Sequence, residues 1–125
     1  MNDRISSIVA ALYTFFSGFG LDAYPEDTVP DEAQLPYITY SISIPDWENP
    51  TSLYANVYYR SASFAGISAK VGEIDDAIGP GAVIPFEDGA IWIYKGTPFA
   101  QFMSMAGDPN LKRMYLNMSM QAITE

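Results

Sequence analysis

Carboxylates are numerous in this sequence, and carboxylates can take part in catalysis or bind a metal ion. A protonated acid beside an ionised one can cleave a glycosidic bond, and grouped carboxylate oxygens can hold calcium. Glu73, Asp75 and Asp76 fall on the polar side of an amphipathic segment, which is typical of a solvated helix face. The acids within residues 26–32 lack the regular spacing and central glycine of a calcium loop, so this segment is expected to be a solvated loop.

Other reactive groups are scarce. The chain has no cysteine and no histidine, which excludes a thiol nucleophile, an imidazole base, a disulfide framework and the usual zinc or haem ligands. Gly79-Pro80-Gly81 resembles a phosphate-binding loop, but it follows a helical pattern and precedes no Lys-Ser or Lys-Thr pair. Serines such as Ser61, Ser63 and Ser68 have no candidate base other than a lysine. The sequence therefore predicts a protein that is not an enzyme and needs no cofactor or metal.

Charge and length narrow the class of protein further. The chain has 125 residues, 6 of them Lys or Arg and 15 Asp or Glu, for a net charge of -9. So few cations cannot form the basic stripe that grips nucleic acid. No apolar run approaches the roughly 20 residues of a membrane helix, and the N-terminal apolar segment lacks a convincing signal-peptide cleavage site. We expect one domain over residues 1–125, made in the cytoplasm and independent of membranes.

Hydrophobic spacing predicts the order of the elements. Apolar residues three or four apart predict a helix over residues 5–16, capped by Asn2 or Asp3 and stopped by Gly18 and Gly20. A second helix over 64–78, capped by Ser61 or Ser63, ends at the glycines that follow it. Residues 21–35 are expected to form a loop. Alternation predicts an antiparallel strand pair, 37–44 and 53–60, and a meander of strands 82–86, 90–95, 99–105 and 111–123, with turns at 88–89, 96–97 and 107–110.

These elements predict an α+β fold, an antiparallel or mixed sheet of about six strands with two main helices on one face. Residues 90–94 (AIWIY) are apolar on both faces of their strand, so either the sheet is covered on both sides or one face meets another subunit. Tyr54 and Tyr58 share the polar phase of their strand, and Trp47 lies in a loop. Such rings either form a partner surface or fill the edge of a small core.

With the elements placed, the chain resembles the tail terminator proteins of long-tailed bacteriophages and prophages, also called minor capsid or neck proteins. The resemblance spans roughly residues 1–123 and depends on element order and pattern. The segments that carry it are GAIWIYKGTPFAQ (89–101), KRMYLN (112–117), LPYITY (35–40) and YYRS (58–61).

This resemblance implies a structural role in the virion. Such proteins form a hexameric ring at the head-proximal end of the tail tube, stop tube polymerisation and present a surface to the head-completion (neck) protein. The implied partners are further copies of the chain, the tail tube protein and the neck protein. DNA passes through the ring without specific binding, and an acidic lumen would suit that passage.

The resemblance also suggests contact residues. Residues 95–101 are the best candidate for a subunit or tube contact, and Arg113 pairs either with a carboxylate across the interface or with one in its own chain. The acidic residues 21–35 face either the lumen or a mating surface. The candidate interface residues are Trp47, Trp92, Tyr94, Lys95, Pro98, Phe99, Gln101 and Arg113.

Two other functions compete with the tail terminator. A head-completion or stopper protein would also form a ring, on the portal side. An acidic DNA-mimic inhibitor would be a monomer or dimer with carboxylates at phosphate-like intervals, whereas the acids here are scattered over loops and one helix face.

Overall fold

The computed structural model describes residues 4–87, 89–103, 105 and 107–124. The predicted caps Asn2 and Asp3, and Asp88 of one predicted turn, lie outside these residues. The described elements are helices α1 (Arg4–Ser17) and α2 (Ala65–Ile78) and strands β1 (Asp22–Pro25), β2 (Tyr37–Tyr40), β3 (Thr51–Arg60), β4 (Ala82–Phe86), β5 (Gly89–Met103) and β6 (Leu111–Thr124).

The strands form one mixed sheet in the order β1-β2-β3-β6-β5-β4. Strand β1 pairs parallel with β2, and the other neighbouring strands pair antiparallel. Helix α1 contacts both β1 and β4, the two opposite edges of the sheet, while α2 packs on β3, β5 and β6. A sheet whose two edges reach one helix must curl around it. The α+β prediction, with both helices on one face of a six-stranded sheet, is confirmed.

The core fills the concave side of this curl. Ile8, Leu12 and Phe16 recur every four residues of α1 and are fully buried, and Phe16 stacks on Tyr40 of β2 with ring centroids 4.8 Å apart. The sheet contributes the alternating residues of each long strand, which face the helices. These buried residues include Leu53, Ala55, Val57, Ile91, Ile93, Met114, Leu116, Met118 and Met120.

Two predictions about residues 21–44 are wrong. The segment 21–35 contains strand β1, whose four residues, DAYP, are too few to show alternation before Pro25 ends it. The strand predicted over 37–44 ends at Tyr40. Beyond it, the Tyr54 backbone N–H donates to the Ser41 hydroxyl at 3.0 Å, so a side chain takes the place of a ladder carbonyl. Ile42 is consequently 39% exposed.

The predicted turn at residues 96–97 is also absent. Strand β5 runs from Gly89 to Met103, and its register against β6 shifts between Lys95 and Ala100. Gly96 lies against β6 so closely that an added Cβ would be 2.8 Å from Asn117 Cγ. The glycine is therefore required because the β5 backbone approaches Asn117 of β6 closely, and not because the chain reverses there. As a result, the meander has three strands where four are predicted.

Helix α2 matches its prediction with two exceptions. The N-cap is Phe64 and makes no side-chain cap hydrogen bond, so the predicted cap at Ser61 or Ser63 is wrong, although the Ser63 hydroxyl accepts the N–H of Ala65 at 3.3 Å. At the end, Gly79, at φ 52°, donates its N–H to the Asp75 carbonyl. Ile67, Val71, Ile74 and Ile78 are buried as expected. Phe64, predicted in the same apolar stripe, precedes the helix and is 43% exposed.

Candidate functional site: the outer face of the sheet

The side of the sheet opposite the helices, here called the outer face, carries the candidate interaction surface. Strand pairing aligns Asp22, Tyr37, Tyr58, Arg113 and Met103 in one row across five strands. Further along, the same face holds Tyr24, Asn56, Tyr115 and Gln101, then Tyr54 and Asn117, then Tyr94, and finally Trp92 with Val83. Both described helices pack on the other side, so neither covers this face.

Aromatic rings dominate the outer face and contact one another. Tyr24 meets Tyr37 at a centroid distance of 5.8 Å, and Tyr37 meets Tyr58 at 5.2 Å, which links β1, β2 and β3. Trp92 and Tyr94 lie 4.6 Å apart on β5. Paired rings hold each other in fixed orientations and offer a large contact area at low entropic cost. The two-faced strand 90–94 thus places Ile91 and Ile93 in the core and Trp92 and Tyr94 on this face.

Two phenols of the outer face have raised pKa values. Burial, reinforced by Tyr58, raises the pKa of Tyr37 above its ordinary value. The Tyr54 hydroxyl donates to Glu26 Oε1 at 2.8 Å, and this hydrogen bond with the carboxylate charge raises the pKa of Tyr54. Both hydroxyl groups are protonated at neutral pH, as a tyrosine with an ordinary pKa of about 10 also is.

Arg113 lies between Tyr58 and Met103 in the first row of the outer face. Its Nε donates to Asn56 Oδ1 at 2.8 Å, and Asn56 is only 7% exposed. The ion pairs among the described residues are Arg60–Asp108, Lys70–Glu73 and Lys95–Asp75. Arg113 thus has no carboxylate partner in the described part of its own chain, although the sequence has 15 acids. Asn56 orients its guanidinium, and no carboxylate among those described residues neutralises its charge.

The structure separates the predicted candidate residues. Trp92, Tyr94, Gln101 and Arg113 share the outer face, whereas Lys95 faces the helices, where its Nζ donates to Asp75 Oδ1 of α2 at 2.6 Å.

Phe99, Pro98 and Trp47 lie elsewhere. Phe99 packs against the core, 5.8 Å from Lys95 Nζ, and Pro98 is exposed in the irregular stretch of β5. The Trp47 ring stacks at 6.3 Å on Phe86 and lies 4.5 Å from the Arg4 guanidinium, in the loop after β2.

Sequence reasoning missed the end of the sheet where β5 and β6 join. Phe102 is 51% and Met103 39% exposed there, and the Phe102 ring meets Phe64 at 4.2 Å. Lys112 Nζ lies 4.8 Å from the Phe64 ring centroid, in a cation–π contact. These residues line a shallow groove of about 310 Å³. This cluster forms because residues 102–103 pair with residues 113–114. The pairing depends on the register of β5 against β6, which the sequence pattern does not give.

The arrangement offers binding surface and no catalytic constellation in the part of the chain described. Across residues 4–87, 89–103, 105 and 107–124, no three acidic side chains lie close enough together to hold a metal ion. Asp46, in the loop of Trp47, accepts the N–H groups of Asn49 and Glu48, which lower the pKa of its carboxyl. That acid thus stabilises its own turn.

Neither described helix is long and apolar enough to cross a membrane.

Comparison with known proteins identifies a shared fold. No family model matches the sequence, and no curated protein matches it. Among solved structures, a chain of the virion of a native gene transfer agent (GTA) particle superposes with a TM-score of 0.66 at 15% sequence identity. The match covers 94% of this chain and 92% of the other. The helices and the curled six-stranded sheet of the present chain therefore form a fold that also occurs in a virion particle.

Proposed function

We propose that this chain is a structural component of a phage-like virion, and specifically a tail terminator. It would assemble as a hexameric ring on the head-proximal end of the tail tube, stop tube polymerisation and provide the surface for head–tail joining. The observation that carries the proposal is the outer face, whose aromatic side chains are not covered by the helices. The same face holds Arg113, which has no ion pair among the described residues. The fold that presents this face is shared with a virion chain. A surface of this composition is typical of a protein interface.

The charge distribution supports an assembly that surrounds DNA. With a net charge of -9 the chain repels the phosphate backbone, and the cations Lys70 and Lys95 are engaged with Glu73 and Asp75. A ring of such subunits lets DNA pass without retaining it, because non-specific DNA binding depends on lysine and arginine neutralising phosphates.

The lack of reactive groups is consistent with this role. No histidine or cysteine is present, and the exposed carboxylates of the described residues belong to loops, to the solvent side of α2 and, for Asp22, to the edge strand β1. Capping a tube needs shape and complementary surfaces, and these are what the outer face supplies.

Electron microscopy of the purified chain mixed with polymerising tail tube protein tests the proposal. We expect rings of about six times the 13.8 kDa chain mass, and tubes that end in a cap and stop growing. Light scattering of the chain alone reports whether the ring forms before the tube is present. Tubes that grow uncapped at every ratio of the two proteins would refute the terminator role. Rings that bind the portal side and ignore the tube would instead identify a head-completion protein.

A further inference from the structure

Opposite charges of this chain are concentrated at one edge of the sheet and at one end of two inner strands. The acidic edge comprises β1 and the loop after it, and residues 21–35 contain no lysine or arginine. These acids are exposed, and the Glu26 carboxylate accepts the Tyr54 hydroxyl. The members of the acidic edge are Asp22, Glu26, Asp27, Asp31 and Glu32.

The basic end lies where β3 ends and β6 begins, beside the groove at Phe64 and Phe102. It consists of Arg60, Lys112 and Arg113, which are half of the 6 cations of the chain. Arg60 pairs with Asp108 at 2.7 Å, and Lys112 donates to the Pro109 carbonyl. Lys112 and Arg113 have no ion pair among the described residues. The basic end therefore carries uncompensated positive charge on an acidic protein.

Sheet geometry keeps the two regions of one chain apart. Asp22 and Arg113 occupy the same row, with β2 and β3 between their strands. At about 4.8 Å per strand, three spacings separate them by about 14 Å along the sheet, beyond the reach of an ion pair. The strand order thus keeps Asp22 from pairing with Arg113 of its own chain. Two copies arranged head to tail can form this pair, and such a heterologous contact closes into a ring when its rotation is regular.

We propose that the basic end of one copy binds the acidic edge of the next copy, so that the outer face at Arg113 and Met103 is covered by residues 22–32 of a neighbour. This inference rests on the proposed ring and adds the two surfaces that form it. It also assigns residues 21–35 to a subunit contact and not to the lumen. Charge complementarity sets the register and partner choice of the contact, while Met103 and Tyr24, which lie on the outer face, supply apolar area.

Complementary charge reversal tests this contact. One variant carries Arg60→Glu and Arg113→Glu, and the other carries Asp27→Lys, Asp31→Lys and Glu32→Lys, so that each altered surface changes the sign of its net charge. Each variant alone places like charges on both sides of every contact, so we expect each to stay monomeric at concentrations where the natural chain forms rings. Mixed in equal amounts, they restore opposite charges at both kinds of contact. We expect rings of alternating subunits, detected by mass photometry and native mass spectrometry.

The outcomes separate this contact from the ring itself. A natural chain that forms no ring, alone or on tail tubes, overturns both the proposed function and this inference. Rings from either variant alone, or no rings from the mixture of two folded variants, overturn the contact and leave the ring proposal standing. Circular dichroism and thermal melting establish that each variant is folded before mixing.

A matched control reverses charges elsewhere. Glu48→Lys with Asp76→Lys and Glu87→Lys changes the net charge by the same amount as the acidic-edge variant, but all three residues are exposed outside the two surfaces. We expect this control to form rings alone, as the natural chain does. Rings lost in the control as well would show that net charge, and not a specific contact, governs assembly, and would overturn the inference.

Discussion

Replacing Trp92 with alanine tests two contributions of this side chain: its buried part stabilises the fold, and its exposed part is available for contact with a neighbouring subunit. Trp92 lies on the outer face, 4.6 Å from the Tyr94 ring, and its indole packs over Gly81, where any Cβ would collide with it. It nevertheless keeps 37% of its surface exposed in the single chain. One substitution therefore affects two measurable quantities.

The two magnitudes follow from the area. A tryptophan side chain offers about 230 Å², and the buried part of Trp92 is then about 145 Å². Its removal costs about 3 kcal/mol of unfolding free energy at about 25 cal/mol per Å², after allowing for the β-carbon that alanine keeps. The variant should still fold, because domains of this size have about 5–15 kcal/mol of stability. The exposed remainder, about 85 Å², contributes about 2 kcal/mol to each contact that covers it, or about 30-fold in Kd.

Urea unfolding of the dilute monomer measures the first quantity, and sedimentation of concentrated protein measures the second. Tyr13→Ala is the matched control, since Tyr13 is 53% exposed on α1, away from the outer face. We expect Tyr13→Ala to assemble normally. Unchanged stability of Trp92→Ala would contradict its packing on Tyr94 and Gly81. Reduced stability with unchanged assembly would refute the use of the Trp92 region as a subunit contact.

Two further predictions test the local structure. Gly96→Ala should lower the unfolding free energy by about 1–3 kcal/mol, because its Cβ meets the Asn117 side chain of β6; a variant as stable as the natural chain in urea would show that β5 and β6 do not approach closely there. The hydrogen bond from Arg60, and to a smaller extent that from the Asn110 N–H, holds the pKa of Asp108 below its ordinary value of 3.8. The ionised Asp108 therefore stabilises the fold above about pH 4, and this stabilisation is lost as the pH falls through the lowered pKa. Asp108→Asn should therefore weaken the loss of stability in acid, and NMR titration of the natural chain should give a pKa below 3.8 for Asp108.

The long elements of the fold follow from the sequence. The spacing of Ile8, Leu12 and Phe16 and the alternation of residues 111–123 each specify a buried face, and the structure buries those faces. The separation of Ile91 and Ile93 from Trp92 and Tyr94 is likewise a consequence of period two. Local periodicity is sufficient for such elements because one face of each is in contact with the core along its whole length.

The candidate surface was only partly predictable. Alternation places Tyr54, Tyr58 and Arg113 opposite the core residues of their strands, but it does not indicate whether another layer covers that side. The positions of Lys95 and Phe99 could not be read from alternation, because the register shift between Lys95 and Ala100 changes which residues point outward. Before the shift even-numbered residues face outward, and after it Gln101 and Met103 do.

The sequence by itself determined the two helices, strands β3, β4 and β6 and their order, the acidic balance and the absence of cysteine and histidine chemistry, because these depend on residue type and local spacing. Only the tertiary structure decided that β1 joins the sheet, that β5 continues through residues 96–97, that α1 spans the two edges of the sheet, and that Asp22 lies three strands from Arg113. Strand order arises from contacts between residues distant in sequence, which no local pattern encodes. That order keeps Asp22 and Arg113 of one chain too far apart to form an ion pair.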